Sequence, residues 1–381
     1  MLPPLSADAA AHSHVVERWI RKCIAAAGGR ISFEAFMEMA LYAPGLGYYS
    51  SGSAKLGAAG DFITAPELSD SFSRCVANQC AEILAVTGGG ILEFGAGSAR
   101  MAATILESLA SLGASPDRYQ ILEVSADLRE RQRARIAELP RALSDRVTWL
   151  DRLPDERIKG VVLANEVLDA LPCKRFVIRD QVAFELDVGA DTNGELVELE
   201  PPSDAPTLQG FELSTPLPNG YRSEICPRIA PWIATVADLL DEGVALLFDY
   251  GLPRAHYYHP QRDRGSLRCH FKQRAHDNPF INIGVQDITA WVDFTTVAES
   301  AVDAGLDVLG FTTQAAFLLG TGIETCVPHG SNSVERARWA GEARQLLLPG
   351  EMGEFFKVMA LGKSFDSSLR GFALQDLRRA L

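Results

Sequence analysis

The chain has 381 residues, of which 47% are hydrophobic and 22% charged, a composition typical of a globular protein with a large buried core. Its formal net charge of −13 argues against broad contact with nucleic acid or an anionic membrane surface, because both require basic residues. No apolar run has signal-peptide form or the roughly 18 residues of a spanning helix, so we predict a cytoplasmic protein without membrane insertion.

The first part of the chain, residues 1–86, is predicted to be a helical region that precedes the main domain at 87–381. Apolar side chains at helical spacing indicate its helices, one of which begins at Pro66 because proline is favourable in a first turn. A glycine- and serine-rich loop begins at Gly45, and its end, the segment 60–67, is predicted to be a lid, with Thr64 or the backbone N–H groups of the helix start contacting an anionic group of a ligand. A plain capped turn is the alternative.

From Gly90 onward, predicted strands and helices alternate, which indicates an α/β fold with a mainly parallel sheet covered on both faces. The strands are predicted at 91–95, 119–124, 146–150 and 160–165, and the helices near 98–112 and 126–139. An insertion at about 174–225, containing an antiparallel hairpin, interrupts this alternation.

The sheet is predicted to resume after the insertion and to be completed by the last third of the chain. The later elements are a helix at 227–242, a strand at 244–251, helices near 286–304 and 332–347, and a strand at 355–361. Between them, the polar segment 252–284 is predicted to be a long loop that binds substrate, since structureless loops of this length are uncommon. Arg268, His270 and Asp287, in or beside this loop, are candidate substrate contacts.

The seven cysteines are scattered through apolar contexts, with no C-x-x-C pair and no cluster with histidine. We therefore predict buried, reduced thiols without disulfides, and no metal site.

The glycine-rich turn after the first strand of the α/β region is a candidate ligand loop. Glu93 lies at the strand end, and Gly95, Ala96 and Gly97 lead into a helix whose free N–H groups point at whatever binds. A dinucleotide-binding loop has a small residue at its sixth position, whereas this chain has Arg100. An acidic strand end also suits a ligand with cationic groups, so the loop favours S-adenosylmethionine over NAD.

Two acidic residues that follow the next strands are candidate nucleoside contacts. Glu123 ends the second strand, 26 residues after Gly97, where a carboxylate in a nucleoside-binding sheet accepts both ribose hydroxyls. Asp151 follows the third strand and could contact the adenine amino group. The alternatives are a helix-capping acid at Glu123 and an ordinary turn residue at Asp151.

Polar residues directly after the fourth strand are candidate acceptor contacts. Asn165, Glu166 and Asp169 follow an apolar strand at the sheet edge where ligands of open α/β sheets bind. Two carboxylates suit a guanidinium group, which pairs with them through its fork of N–H donors. The alternative is that Glu166 and Asp169 only cap a short helix.

Several of these segments together resemble the MidA-like class I methyltransferases, a family with mitochondrial and bacterial members. The resemblance covers most of the chain and is carried by segments 42–49, 60–67, 93–98, 165–172 and 287–294. It implies a seven-strand-type fold and S-adenosylmethionine as methyl donor. For the mitochondrial members, it implies a role in respiratory complex I assembly and dimethylation of an arginine in a complex I subunit. One departure is Ala99, where methyltransferases commonly have glycine.

Three functions remain open at this point. The first is a protein arginine methyltransferase acting on a protein or peptide, which the acidic charge and paired carboxylates favour. The second is a methyltransferase acting on a small molecule. The third is a non-catalytic assembly factor, which would have no need of the glycine loop and Glu123. Neither the acceptor nor the oligomeric state follows from the sequence.

Overall fold

The computed structural model describes most of the chain, namely residues 2–50, 63–202, 205–208, 216–327 and 332–381. Of the predicted lid, Gly60, Asp61 and Phe62 lie outside the described residues.

The described residues form helices throughout the chain, some of only one turn. In chain order they are α1 (Ala7–Ala26), α2 (Phe33–Tyr42), α3 (Ala65–Leu68), α4 (Asp70–Thr87), α5 (Arg100–Ser111), α6 (Ala126–Ile136), α7 (Arg141–Ser144), α8 (Ile229–Leu239), α9 (Arg254–Tyr257), α10 (Phe294–Asp303), α11 (Gln314–Gly320), α12 (Ser333–Leu347) and α13 (Met352–Phe355).

The strands of the described residues range from two to thirteen residues in length. They are β1 (Arg30–Ser32), β2 (Gly90–Phe94), β3 (Tyr119–Leu122), β4 (Val147–Leu150), β5 (Ile158–Asn165), β6 (Lys174–Arg179), β7 (Val182–Ala190), β8 (Leu196–Leu199), β9 (Arg222–Ile225), β10 (Leu240–Leu252), β11 (Arg268–Phe271), β12 (Arg274–His276), β13 (Asp287–Thr289), β14 (Val292–Asp293), β15 (Asp307–Thr313) and β16 (Phe356–Lys363).

These elements belong to two compact units. Unit 1 comprises the described residues of 1–62, 169–229 and 254–292, and unit 2 those of 63–168, 230–253 and 293–381. This division differs from the predicted boundary at 86/87. Strand β1 pairs with β7, which joins the first residues of the chain to the hairpin insertion rather than leaving them as a separate helical region.

Unit 2 is built on a mainly parallel sheet, as the sequence predicts. Seven strands lie side by side in the order β15-β16-β10-β5-β2-β3-β4. The neighbours from β10 to β4 are parallel, whereas β16 is antiparallel to both β10 and β15. From β2 the chain proceeds to β3 and β4 on one side and then crosses to β5 on the other. The carboxyl ends of β2 and β5 therefore form a topological switch point, where ligands of such sheets bind.

Long buried apolar runs explain why the central strands form. Every residue of β2 is buried, and β5 and β10 contain runs that are buried on both faces, as expected for strands of a parallel sheet covered by helices. Phe72 of α4, Phe248 of β10 and Phe317 of α11 pack ring against ring, with centroids 5.4 and 5.3 Å apart. This core holds the strand ends that carry the candidate site residues.

Glycines near the amino ends of the central strands allow close approach of the backbones. Gly160 pairs with Gly90 on one side and Gly243 on the other. It has a φ of +119°, and a Cβ built on it would lie 2.2 Å from the carbonyl oxygen of Gly90. Only glycine is compatible with both conditions.

Replacing Gly160 by alanine is expected to destabilise unit 2 by about 2 kcal/mol, because the new methyl group collides with backbone and the residue is strained. Gly113→Ala is the matched control, since Gly113 also has a positive φ (+69°) but open space around its Cβ position. Urea denaturation of both variants measures the difference. Equal losses of stability would show that the close approach of the strands contributes nothing.

Unit 1 contains two small antiparallel sheets and the first two helices. One sheet has the order β1-β7-β6-β9, with β8 also paired to β7, and the other has the order β12-β11-β13. Buried side chains of α1 and α2, including Val16, Ile20, Phe33 and Phe36, form its core. Arg175 forms ion pairs with Glu198 and with the buried Glu224, whose carboxylate also accepts hydrogen bonds from Ser266.

Several helices and loops that the sequence predicts differ from the structure in their bounds or type. The segment 252–284 is not structureless, because it contains α9, β11 and β12, the last two paired with each other. The helix predicted near 286–304 is two short strands followed by α10, and the helix at 227–242 ends at Leu239, where β10 begins. Pro66 lies in the one-turn helix α3, and Ser69 separates it from α4.

The seven cysteines differ in their exposure. All seven are free thiols, and five of them are buried. Cys23 and Cys226 are partly exposed, so the prediction of burial is wrong for these two.

Candidate functional site

The glycine loop of unit 2 adopts a backbone conformation suited to ligand contact. Gly95, Gly97 and Ala99 have φ values of +62°, +54° and +60°, so three of five consecutive residues are left-handed. Gly95 is exposed, and among the described atoms a Cβ built on it would meet only Val167 Cγ2, at 3.9 Å. The backbone above Gly95 is therefore open, which is the condition that close ligand approach requires.

Arg100, the residue that argued against a dinucleotide loop, ties this loop to the start of α4. Its guanidinium contacts the Asp70 carboxylate at 2.9 Å and the carbonyl of Glu67, and Ser98 donates a hydrogen bond to the Glu67 carboxylate. Thr64, the residue before α3, is 9% exposed and makes no side-chain capping bond. These contacts place the described end of the predicted lid beside the glycine loop.

Glu123 is held next to the glycine loop by a residue that the sequence analysis did not single out. The side-chain amide of Gln132, on α6, donates to Glu123 Oε2 and to the carbonyl oxygen of Gly97, each at 3.0 Å. The other oxygen of Glu123, Oε1, accepts from the backbone N–H of Ser125 at 2.9 Å. A polar residue at one-turn spacing between the buried Leu128 and Ile136 was the sequence signal for Gln132.

Two exposed residues lie near the predicted nucleoside contacts, one next to Glu123 and the other at the end of β4. Val124 is 74% exposed, unusual for a large apolar side chain at a sheet edge. Asp151 directly follows β4 and is also exposed. Both are accessible to a ligand that lies across the carboxyl ends of the strands.

The carboxyl end of β5 presents an unsatisfied polar atom. Asn165 Oδ1 is buried and has no hydrogen-bond partner among the described residues, while its Nδ2 donates to Glu166 Oε1 at 3.1 Å. Glu166 has a φ of +53°, a strained conformation for a residue with a side chain. Strain and an unsatisfied acceptor at a switch point are features of ligand sites rather than of packing.

Asp249, at the end of the neighbouring strand β10, supports this segment. The buried Asp249 carboxylate accepts from the backbone N–H groups of Leu168 at 2.9 Å and Tyr250 at 2.8 Å. The backbone N–H of Glu166 donates to the carbonyl oxygen of Phe248 at 2.9 Å. The backbone N–H groups of Glu166 and Leu168 therefore both help to hold the turn after β5 against β10.

Asp169 belongs to unit 1 and is 4% exposed. Its carbonyl oxygen accepts from the backbone N–H of Ala290, and its charge contributes to raising the pKa values of Tyr42 and Tyr49, although burial is the main cause. These two rings are stacked, with centroids 5.4 Å apart, and the Tyr49 hydroxyl donates to the buried carboxylate of Asp287 at 2.9 Å. Unit 1 thus brings two acids and two tyrosines of the family-like segments together.

The other candidates in unit 1 lie on the small sheet of β11 and β13. His270 pairs with Asp287 in the strand register. Burial, with smaller effects of the charges of His276 and Arg268, lowers the pKa of His270 to about 4, so this imidazole is neutral at pH 7. Arg268 is exposed and donates to the carbonyl oxygen of Leu267.

Glu93 lies beneath the glycine loop with its carboxyl group buried. It is 1% exposed, and Glu93 Oε2 accepts from the Tyr119 hydroxyl at 2.7 Å. Burial and the charge of Glu123 raise the pKa of Glu93 and the hydrogen bond from Tyr119 lowers it, and together they give a pKa of about 7. The buried Glu93 carboxyl group is therefore partly protonated at pH 7.

Known proteins are similar to this chain over most of its length. A family model described as "Putative S-adenosyl-L-methionine-dependent methyltransferase" matches residues 75–312, well over half of the chain. The chain belongs to this family. A crystal structure of a protein from Burkholderia thailandensis bound to S-adenosyl-homocysteine is 39% identical, with a TM-score of 0.94 and 100% of both chains covered. This methyltransferase therefore has the class I fold and the S-adenosylmethionine donor that the sequence predicts.

Curated relatives carry a more specific description. "Protein arginine methyltransferase NDUFAF7, mitochondrial" from Danio rerio is 28% identical to this methyltransferase over 88% of the chain and 84% of the relative. The Homo sapiens protein of the same name is 26% identical over 87% of the chain and 80% of the relative. The prediction of a cytoplasmic protein is contradicted by this comparison, because these relatives are named as mitochondrial.

The residues present fit the methyl donor of this family. The open backbone above Gly95 is a cradle that a Cβ would fill, and the buried Asn165 Oδ1 accepts no hydrogen bond from the described residues, so it could accept one from a cationic ammonium group. Glu123 is joined to this loop by the hydrogen bonds of Gln132.

Within the described ranges, no helix is long and apolar enough to cross a membrane, and no group of three side chains is placed to hold a metal ion.

Proposed function

We propose that this methyltransferase transfers a methyl group from S-adenosylmethionine to an arginine side chain of a protein substrate. The observation that carries the proposal is the segment after β5, where an unsatisfied Asn165 oxygen and the strained Glu166 follow an apolar strand. The names of the curated relatives support arginine as the acceptor. A subunit of respiratory complex I is the proposed substrate within this class, on the basis of the resemblance to the mitochondrial family members.

The donor is proposed to lie across the carboxyl ends of β2, β3 and β5. Gly95, Ala96 and Gly97 would contact it with bare backbone, and Glu123 would accept the ribose hydroxyls. Glu93 would favour its cationic form through the loop. Thr64 and Asp151 would contact its carboxylate and its adenine amino group, respectively, with Val124 as an apolar surface beside the base.

When bound, the donor supplies an electrophilic methyl group on a positively charged sulfur. This chain's residues must then align the acceptor nitrogen with that methyl group and exclude water. Glu166 would pair with the guanidinium N–H groups and fix the plane of the group. The sequence-based proposal also includes Asp169, whose described contacts lie within unit 1. The methyl carbon–sulfur bond would break as the carbon–nitrogen bond forms, which leaves S-adenosylhomocysteine, and the methylated guanidinium would then release one proton to solvent.

A labelling experiment tests this function. Mitochondrial extract is incubated with the purified protein and donor carrying a labelled methyl group, and labelled proteins are digested and analysed by mass spectrometry. Label on arginine in a protein is the expected result. Label only in small molecules would overturn the arginine proposal in favour of metabolite methylation, and no transfer beyond the extract alone would indicate a non-catalytic assembly factor.

Glu166→Gln is expected to reduce methyl transfer to the labelled substrate roughly 10²-fold while leaving donor affinity nearly unchanged, because a misplaced acceptor loses alignment. Asp169→Asn is expected to act in the same direction. Initial rates and calorimetry with S-adenosylmethionine measure the two effects separately. The exposed Glu107→Gln, on α5, is the control for loss of one negative charge.

Should both variants bind the donor normally and transfer at the full rate, the two carboxylates only stabilise local structure. The acceptor contacts would then have to be among Arg268, His270 and Asp287.

A further inference from the structure

Gln132 is a fully buried polar residue on a helix face that is otherwise apolar. It is 0% exposed and lies one turn from Leu128 and one turn from Ile136 on α6. A buried side-chain amide reduces stability unless its hydrogen-bonding groups are paired. Gln132 has three described partners, and two of them belong to the proposed donor site.

The orientation of the Gln132 amide is determined by Trp149 on β4. The indole Nε1–H of Trp149 is a donor only, and it donates to Gln132 Oε1 at 3.0 Å. The Gln132 oxygen must therefore face Trp149, which directs the NH₂ group to the opposite side. The guanidinium of Arg133 lies 5.3 Å from the centre of the Trp149 ring and restricts the ring further.

The two N–H groups of this amide have two separate acceptors. One is the carbonyl oxygen of Gly97 in the glycine loop, and the other is Glu123 Oε2, each 3.0 Å from Gln132 Nε2. One rigid group thus holds together the loop after β2 and the carboxylate after β3. These are the parts of the protein proposed to contact opposite portions of the donor.

We propose that Gln132 is a positioning residue for donor binding, which sets the distance and angle between the Glu123 carboxylate and the Gly97 backbone. This inference rests on the donor site under the proposed function. The Gln132 side chain does not itself contact the donor. It holds Glu123 in the orientation that accepts ribose hydroxyls and keeps the loop closed against the carboxylate, so that the donor meets a site formed in advance.

Gln132→Met tests this role, because methionine has similar length but no N–H group. S-adenosylhomocysteine affinity, measured by calorimetry, is expected to fall about 10-fold, as for the loss of hydrogen bonds that orient a binding group. The double variant Gln132→Met/Glu123→Ala is expected to lose much less than the product of the two single losses, since Gln132 acts through Glu123. Multiplicative losses would overturn the proposal.

Leu128→Ala is the matched control on the same helix face. It creates a packing defect in α6 without removing a hydrogen bond to Gly97 or Glu123, so it is expected to lower stability and leave donor affinity within 2-fold of wild type. An equal loss of affinity in Leu128→Ala would show that general loosening of the helix is the cause. That result would overturn the positioning role.

Trp149→Phe provides a second variant in case Gln132→Met fails to fold. It keeps the amide and an aromatic ring but removes the N–H donor that orients the amide together with part of the indole, and we expect a 3- to 5-fold loss of S-adenosylhomocysteine affinity. An unchanged affinity in this variant would contradict the proposed role of the amide orientation.

Glu123→Ala alone separates this inference from the donor site itself. If the wild-type protein and Glu123→Ala bind S-adenosylhomocysteine equally well, the donor lies elsewhere and the donor site given under the proposed function is wrong. If Glu123→Ala weakens binding but Gln132→Met does not, only the inference about Gln132 is wrong.

Discussion

Replacing Gly97 by valine is expected to abolish measurable donor binding while unit 2 remains folded. Gly97 has a φ of +54°, a region that β-branched residues strongly disfavour, so the loop must change its conformation to accept valine. The carbonyl oxygen of Gly97 then moves away from Gln132, and the branched side chain stands where the donor should contact backbone. Calorimetry with S-adenosylmethionine and S-adenosylhomocysteine measures the loss.

Gly113→Val is the matched control for backbone strain. Gly113 follows α5 in the same unit and has a φ of +69°, but no described atom lies within 4 Å of its Cβ position. This variant is expected to lose a similar amount of stability in urea denaturation and to bind both ligands normally. Wild-type donor affinity in Gly97→Val would place the donor site away from the glycine loop.

The central sheet of unit 2 could be predicted from the sequence because its signals are local. The strands predicted at 91–95 and 160–165 correspond to β2 and β5, which consist of buried apolar runs. Such runs form strands that are covered on both faces wherever the rest of the chain lies. The helix predicted near 332–347 corresponds to α12, at whose start the structure shows a capping box formed by Asn332 and Glu335.

The three-stranded sheet of unit 1, formed by β12, β11 and β13, could not be predicted, because pairing between distant residues determines it. Strand β11 contains Arg268 and His270, which are not typical of a buried strand, and it is only four residues long. It forms because His270 pairs with Asp287, 17 residues further along the chain. Similarly, the helix predicted near 286–304 begins only at Phe294, after Asp293 caps it. Local periodicity contains no information about such partners.

The candidate site shows the same division between local and distant information. Glycines after a strand and a carboxylate after the next strand predict the loop and Glu123 as candidate donor contacts from spacing alone. The contacts of Gln132 with both, and of Asp249 with the backbone after β5, depend on how neighbouring strands align. The sequence also predicts Glu93 as a donor contact, but it does not indicate that the buried Tyr119 hydroxyl donates a hydrogen bond to the Glu93 carboxyl group.

Between about pH 4.5 and pH 7, the stability of unit 2 is expected to fall because Glu93 must ionise within the core. Burial raises the pKa of Glu93 from its ordinary value of 4.5 to about 7, so the folded protein binds this proton more tightly than the unfolded chain. The stability that the protonated Glu93 provides is therefore fully present below pH 4.5 and is lost as the pH rises through 7. A shift of this size corresponds to about 3 kcal/mol.

Glu93→Gln isolates this contribution. The amide stays neutral at every pH, and its oxygen can still accept the hydrogen bond from the Tyr119 hydroxyl. The other titratable groups that face Glu93 are Glu123, Cys80 and Tyr119, and they are unchanged in the variant. Urea denaturation of wild type and variant at pH 4, 5, 6, 7 and 8 is expected to give equal stabilities at the acidic end and a variant more stable by about 3 kcal/mol above pH 7.

The exposed Glu107→Gln serves again as the control and is expected to follow the wild-type curve, since its carboxylate is in water in both states. Parallel curves for wild type and Glu93→Gln would mean that the buried carboxyl group ionises without cost. A higher wild-type stability at alkaline pH would mean that the ionised form of Glu93 is stabilised in the fold. The acid at the end of β2 would then strengthen the structure beneath the glycine loop instead of straining it, and donor binding would not have to offset any destabilisation from Glu93.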